Sequence, residues 1–404
     1  MNRYWRKRIF CILCIFLTFL PGFGARAEET ALKKEDTGIT ISAQSAVLME
    51  GSTGKILYEM DKDKQLIPAS ITKIMTLLLI FEALDNGKIT LEEEVSVSEH
   101  AASMGGSQVY LEPFEKQTVN TMIKCISIAS ANDASVAMAE HISGSESEFV
   151  ARMNERAQEL GMKNTHFLNC CGLDDTITEG HYSSAYDIAL MSRELITKHP
   201  QISNYSTVWL DSFTHTTKKG SSEFGLTNTN KLVRTYDGIT GLKTGSTSKA
   251  KYCLSATAKR NGMDLIAVVM ASESPKERFV DAAKLLDYGF ASCSLYTDEN
   301  EEILNVRLPV LRGKKDEVGI MAETDFSQVL MKDESENDIT KKIVYHENLE
   351  APIKMGDKVG EISYYLKGTK TGTIAIVATE GIEKAHFGDY FKKTVDRFFM
   401  KREK

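Results

Sequence analysis

The stretch Pro68–Leu84, PASITKIMTLLLIFEAL, narrows the possible folds of this chain more than any other. Proline holds φ near the helical value and lacks only an N–H that a first turn leaves unpaired, so Pro68 predicts a helix start. Beyond Ile71, the residues Ile74, Met75, Leu77, Leu78, Leu79, Ile80 and Phe81 leave almost no polar face. A helix apolar all round must be buried on every side, which requires a sizeable core. With 42% hydrophobic and 26% charged residues among 404, the chain has ordinary globular composition and can supply one. The first turn nevertheless carries Ser70 and Lys73, one turn apart on the same face. A serine hydroxyl is a weak nucleophile until a base takes its proton, and a desolvated amine beside it can be that base. The helix N-terminus adds partial positive charge where negative charge would develop. Taken alone, however, S-x-x-K reads as a capping serine and a solvated lysine.

The chain repeats the motif at Ser248 and Lys251, so its company decides. Ser70 and Lys73 are followed by Ser130-Ala131-Asn132 and then by Lys243-Thr244-Gly245. Together these resemble the three-part signature of penicillin-binding proteins and serine β-lactamases. A second set also runs in order: Ser248/Lys251, Ser335-Glu336-Asn337 and Lys370-Thr371-Gly372. Ser248 precedes a strand-like run, KYCLSATA, and opens no buried helix. Ser335 lies in the acidic stretch DESEND, and little chain separates the members. The first set is therefore the functional one.

Residues 1–27 read as a secretory signal: Arg3, Arg6, Lys7 and Arg8, an apolar core Ile9–Leu20, and Ala25-Arg26-Ala27 at the cleavage site. The apolar run is short for a membrane span, with an uncleaved N-terminal anchor as the alternative. Cys11 and Cys14 leave with the signal. The remaining Cys125, Cys170, Cys171, Cys253 and Cys293 are odd in number and have no zinc spacing, so they read as mostly buried small hydrophobes. The formal charge is −7, and the signal removes five basic residues and no acidic ones, giving −12. No basic patch argues for nucleic acid. The 377 residues left from 404 after removing 27 suggest two or three domains.

Along the chain, residues 45–49 and 55–58 read as strands joined by GSTG. Apolar residues at helical spacing (Val119, Met122, Ile123, Ile126) predict a helix over 118–128, and a second begins near Asp133. That places Ser130 and Asn132 in an interhelical turn, where polar side chains can point into a cleft or cap the helices. Residues 149–160 predict a helix stopped by Gly161. Lys243-Thr244-Gly245 belongs on a strand, where glycine lets a substrate approach the backbone closely. Runs 251–258 and 263–270 form a hairpin through Asn261-Gly262. A helix over 276–288 presents Phe279, Ala282, Ala283 and Leu286 on one face. Strands at both ends with helices between imply an antiparallel sheet built from distant segments.

The text of 164–194 and 227–250 is similar to the D-alanyl-D-alanine carboxypeptidase branch of the penicillin-binding proteins. Where that branch carries N-P-x-G-L, this chain has Asn169-Cys170-Cys171-Gly172-Leu173, with cysteine in place of proline. The nearby His181 reads as a structural hydrogen-bonding residue rather than a catalytic one. The resemblance implies an α/β fold: a β-lactamase/transpeptidase-like domain with an antiparallel sheet and a helical lobe over 38–293. After Ser294 short β-type runs (303–310, 342–345, 360–365, 372–377) alternate with charged turns, implying a small all-β domain over 294–385. Residues 386–404 form an amphipathic helix, with Phe387, Tyr390, Phe391, Val395, Phe398 and Phe399 at helical spacing among Lys392, Lys393, Arg397, Lys401, Arg402 and Lys404. It reads as an in-plane anchor at the outer face of the cytoplasmic membrane, the alternative being a helix docked on its own domain.

The resemblance implies a serine-type D-Ala-D-Ala carboxypeptidase, extracytoplasmic and peripherally membrane-bound. It would trim peptidoglycan stem peptides and bind β-lactam antibiotics covalently. It implies Ser70 as nucleophile, Lys73 as base and Ser130 as proton relay. Asn132, Lys243, Thr244, Gly245, Ser246 and Arg278 would contact substrate, with the backbone N–H groups of Ser70 and Ser246 as the oxyanion hole. No cofactor is implied, and neither H-E-x-x-H nor another metal-ligand spacing appears. An endopeptidase shares all these residues. A β-lactamase would bring E-x-x-L-N, which is absent. A non-catalytic wall-binding protein would have no use for a nucleophile and base together.

Overall fold

The computed structural model describes residues 38–175, 179–217 and 220–400, without the side chains of Arg397 and Met400. The expected signal, 1–27, and the last four tail residues lie outside the described residues.

Ser45–Glu50 and Ile56–Met60 form the first hairpin. They join the late strands in one antiparallel sheet, ordered Ile56–Met60, Ser45–Glu50, Met263–Ser272, Lys251–Arg260, Ile239–Thr247. Asn261 (φ +49°) and Gly262 (φ +77°) turn the last hairpin, the left-handed pair that matches strand twist. The helices Ala185–Lys198 and Glu277–Ser292 pack on the central strand Met263–Ser272. That strand is buried along nearly all its length, as expected of a covered sheet interior. The other edge strand, Ile239–Thr247, carries Lys243 to Ser246.

Helix Glu277–Ser292 buries Arg278, Asp281, Ala282, Leu285, Leu286 and Gly289, one position off the apolar face expected from sequence. Phe279 and Ala283 are only half-buried. Two polar residues hold the inner face because each has partners there. Asp281 accepts from Ser42 N, Ser42 Oγ and Ala43 N, and Arg278 Nη1 donates to the Gly245 carbonyl at 3.1 Å. A purely apolar criterion turns the helix away from them.

The helical lobe is Lys73–Asp85, Val119–Ile128, Asn132–Ser143 and Glu146–Glu159. The last starts three residues before the expected Phe149, because the Ser145 hydroxyl accepts from Glu148 N and caps it. Gly161 (φ +74°) ends it. The core runs through this lobe and the sheet, from Val47 to Met270.

A separate apolar cluster, Ile303 to Ile382, lies in the C-terminal region. Its six-stranded sheet has the order Ile339–Tyr345, Lys358–Leu366, Thr369–Ala378, Glu317–Ala322, Arg307–Leu311, Leu349–Glu350. Cys293–Asp298 pairs with Phe326–Met331 beside it. The strands at 293–298, 317–322 and 326–331 had no clear sequence signal: the first buries no residue fully, and the other two intersperse polar residues with their buried ones. Phe326 stacks on Tyr364 at 3.7 Å, and a methyl on Gly372 would meet the Phe326 ring at 2.6 Å. Lys370-Thr371-Gly372 is thus strand text with a packing reason for its glycine. The final helix, Phe387–Met400, exposes Phe387, Phe391, Phe398 and Phe399, while Lys393 Nζ donates to the Gly313 carbonyl at 2.9 Å.

Candidate active site

Ser70 lies in a single 3₁₀ turn, Ala69–Thr72, that runs directly into the buried helix Lys73–Asp85. The helix is buried from Lys73 to Phe81, as its composition requires. Lys73 has no exposed surface, and its Nζ makes three contacts. It donates to Ser70 Oγ at 3.1 Å, to Asn132 Oδ1 at 2.6 Å and to the Cys171 carbonyl at 2.7 Å. Burial pushes the Lys73 ammonium below the usual lysine value. An amine so placed, within reach of a hydroxyl, has the geometry of a general base.

Asn132 opens the helix Asn132–Ser143, and Ser130 precedes it in a left-handed turn (φ +62°), buried to 3% exposure. Neither caps the helix: Ala131 holds the cap position with no side-chain bond. Asn132 is held at three points. Its N donates to the Ser107 carbonyl at 2.7 Å, its Nδ2 to the Gly105 carbonyl at 2.7 Å, and its Oδ1 faces Lys73. Sequence reasoning missed Asp133, whose buried carboxylate accepts from Val109 N, Leu111 N and Ala134 N. It anchors the loop that holds Asn132, and burial raises its carboxyl above the usual range against those hydrogen bonds. Its position right after the S-x-N triplet is the one signal that could have flagged it.

Lys243 and Thr244 are buried on the edge strand. Lys243 Nζ donates to the Thr244 carbonyl at 3.2 Å, and Thr244 Oγ1 donates to Thr229 Oγ1 at 2.7 Å. Burial pushes the Lys243 ammonium well below its usual value, and the positive charges of Lys73 and Arg278 push further the same way. Three basic side chains, Lys73, Lys243 and Arg278, therefore lie near one another. The Arg278 guanidinium is held by Gly245, and its buried Nε has no protein partner among the described residues. Ser246 is exposed on the same strand. Gly245 has a nearer neighbour than any substrate: a Cβ there would lie 2.6 Å from the Pro68 carbonyl and 3.0 Å from Ile71 Cγ1. The glycine lets the strand close against the Ser70 turn.

The loop 169–173 completes the lysine's surroundings. Asn169 Oδ1 accepts from Cys171 N at 3.2 Å and Gly172 N at 2.6 Å. Gly172 (φ +80°) passes so close to the Ser70 turn that a Cβ would lie 1.9 Å from the Ala69 carbonyl oxygen. His181 Nδ1 accepts from Leu168 N at 3.0 Å, which leaves its Nε2–H to face Thr72 Oγ1 at 2.9 Å. Burial lowers His181 to about 4, so it is a neutral strut, as its sequence context suggested. Alongside, a cavity of about 380 Å³ is lined by Gln65, Leu66, Ile67, Asp174, His181 and Lys249.

This constellation sits in a chain whose residues 29–274 match the D-alanyl-D-alanine carboxypeptidase family of serine peptidases. The chain belongs to that family. Residues 294–384 match the C-terminal domain of penicillin-binding protein 5. D-alanyl-D-alanine carboxypeptidase DacF of Bacillus subtilis is 43% identical over 392 residues, covering 96% of this chain and 98% of that protein. The Escherichia coli carboxypeptidase DacC is 32% identical over 92% of each. Among solved structures, penicillin-binding protein 5 of Haemophilus influenzae superposes with a TM-score of 0.70 at 32% identity, covering 86% of this chain and 99% of that one. The family's α/β catalytic architecture followed by an all-β domain is the fold described above.

The geometry brings Ser70, Lys73 and Asn132 into direct hydrogen-bonded contact, places Lys243, Thr244 and Gly245 on the edge strand, and brings Arg278 to Gly245 from the helix Glu277–Ser292. The Cys171 carbonyl went unseen in sequence because a backbone oxygen has no letter.

Proposed function

We infer that this family member is a serine-type D-Ala-D-Ala carboxypeptidase working through an acyl-enzyme on Ser70. The observation that carries the reading is the buried Lys73 amine 3.1 Å from Ser70 Oγ, with its basicity lowered by desolvation. Ser70 Oγ attacks the carbonyl carbon of the penultimate D-Ala and passes its proton to Lys73 Nζ. The developing oxyanion lies against the backbone N–H groups of Ser70 and of Ser246, on an edge strand whose outer groups are unpaired by the sheet. Ser130 gives a proton to the leaving amine, terminal D-Ala departs, and water then hydrolyses the ester.

Lys243, Thr244 and Arg278 bind the terminal carboxylate. An incoming anion offsets the positive charge of Lys243 and Arg278, which is the electrostatic rationale for a carboxyl-terminal substrate. Asn132 orients the substrate amide once its Oδ1 is released from Lys73. Peptidoglycan stem peptides are the substrate and β-lactams the covalent inhibitors. The chain is extracytoplasmic, with 1–27 as its signal, 38–293 as catalytic domain and 294–385 as β domain.

The tail 386–404 anchors the protein peripherally at the membrane. Four exposed phenylalanines on one short helix support this, and among the described residues no helix is long and apolar enough to cross a bilayer. Removing residues 386–404 should release the protein from anionic vesicles while soluble-peptide turnover continues. Retention on vesicles would assign the helix to its own domain, where Lys393 already bonds. The enzymatic reading is tested by labelled penicillin and a D-Ala-D-Ala peptide. The label should map to Ser70, and the peptide should lose one D-Ala. A label elsewhere, or rapid penicillin hydrolysis without D-Ala release, overturns it.

A further inference from the structure

The loop that faces Lys73 carries a donor that a proline at 170 would lack. Cys170 is fully buried, and its backbone N donates to Glu146 Oε1 at 3.1 Å. The other carboxylate oxygen, Oε2, lies 3.0 Å from His100 Nε2, so both oxygens are engaged. Glu146 is the first residue of its helix, directly after the Ser145 cap, where an anion is favoured by the helix N-terminus. On its other side the loop meets the Ser70 helix. The Cys170 carbonyl accepts from Thr76 Oγ1 at 2.5 Å, and the Cys171 carbonyl accepts from Lys73 Nζ at 2.7 Å. Glu146 thus reaches the lysine through two peptide units, with no contact of its own to Ser70 or Lys73.

We propose that Glu146 is a positioning residue for Lys73, clamping the Cys170 N–H so that the Cys171 carbonyl stays on the amine. The proposal rests on the reading of Lys73 as base. The clamp substitutes for stiffness that a proline would give the loop. The two devices exclude each other: the ring carbon of a proline at 170 would point where the N–H now points, into an oxygen only 3.1 Å from the nitrogen. Removing the carboxylate alone strands a buried donor. Adding the proline alone forces the carboxylate aside. Doing both removes donor and acceptor together.

The test measures the rate of Ser70 acylation by fluorescent penicillin in the full chain, with thermal unfolding of each variant as the folding control. E146A should acylate roughly tenfold more slowly, the cost of an unmet buried N–H. E146Q keeps an acceptor oxygen and should stay within about twofold of wild type. C170P should be slow, and E146A/C170P should be faster than C170P, a reciprocal rescue that general destabilisation would not produce. Wild-type rate in E146A, equal loss in E146A and E146Q, or a folded double variant no faster than C170P overturns the proposal. If C170P fails to fold, the E146A and E146Q pair decides. A wild type that takes no label at Ser70 overturns the base reading itself, and is told apart by that missing signal.

Discussion

Two regions of this chain spell nearly the same three motifs in the same order. Around the Ser70 turn, Lys73, Ser130, Asn132, Lys243 and Thr244 are all buried, and Ser70 itself is half-buried. In the second set Ser248, Ser335, Asn337, Lys370 and Thr371 are exposed, and Lys251 pairs with Glu273 at the surface. The letters agree; the solvent does not. A lysine in water stays charged and cannot take a proton from serine, whereas burial lowers Lys73 and Lys243 toward the neutral amine. The proposed nucleophile belongs to the set around which helices and strands exclude water.

The largest contrast should come from the serines and lysines themselves. S70A should abolish penicillin labelling and S248A should leave it intact, read by mass mapping. K73A should slow acylation by about 10²–10⁴-fold, the scale of general-base catalysis, with K251A unchanged. Equal losses in both sets would erase the distinction.

Glycines sharpen it next. G172A drives a methyl into the Ala69 carbonyl and should cost about 3 kcal/mol or more in thermal unfolding. G368A, in a C-terminal turn of similar φ with open space around it, should cost only the left-handed backbone penalty of about 1–2 kcal/mol.

Acid should strain the first region through His181. Its folded value is about 4 against an ordinary 6.5, so the unfolded chain takes up a proton that the fold withholds. Stability from this group is whole above pH 6.5 and drains as pH falls toward 4, by about 3 kcal/mol in all. H181Q should flatten that part of the stability–pH curve, and a curve unchanged by H181Q would remove His181 as the strut.

The smallest effects belong to the threonines. T244V should lower peptide kcat/KM by about tenfold, one hydroxyl hydrogen bond to the carboxylate. T371V, on an exposed strand position, should change nothing measurable.

Local physics made much of this legible in advance. The run Ile74–Phe81 could only be a buried helix, and Asn261-Gly262 could only turn a tight hairpin. The S-x-x-K, S-x-N and K-T-G company named the residues that the fold gathers. The text 164–194 pointed to the loop beside them, and His181 read as structural from its surroundings. Short-range spacing also misled, as when the apolar stripe placed Phe279 and Ala283 on the inner face that Arg278 and Asp281 occupy.

What the chain's letters determined by themselves is the set of elements and the candidate chemistry, because helix period, turn dihedrals and side-chain reactivity are local properties. Tertiary structure decided the rest. Desolvation of Lys73 depends on the helices around it, and its third partner is a backbone carbonyl, which every residue possesses. Gly172 and Gly245 are required by segments about a hundred and more positions away in sequence. Glu146 meets Cys170 only because a helix start and a loop fold together. Burial and contact across sequence distance belong to the assembled chain, and they set one of two serine motifs apart as the proposed nucleophile.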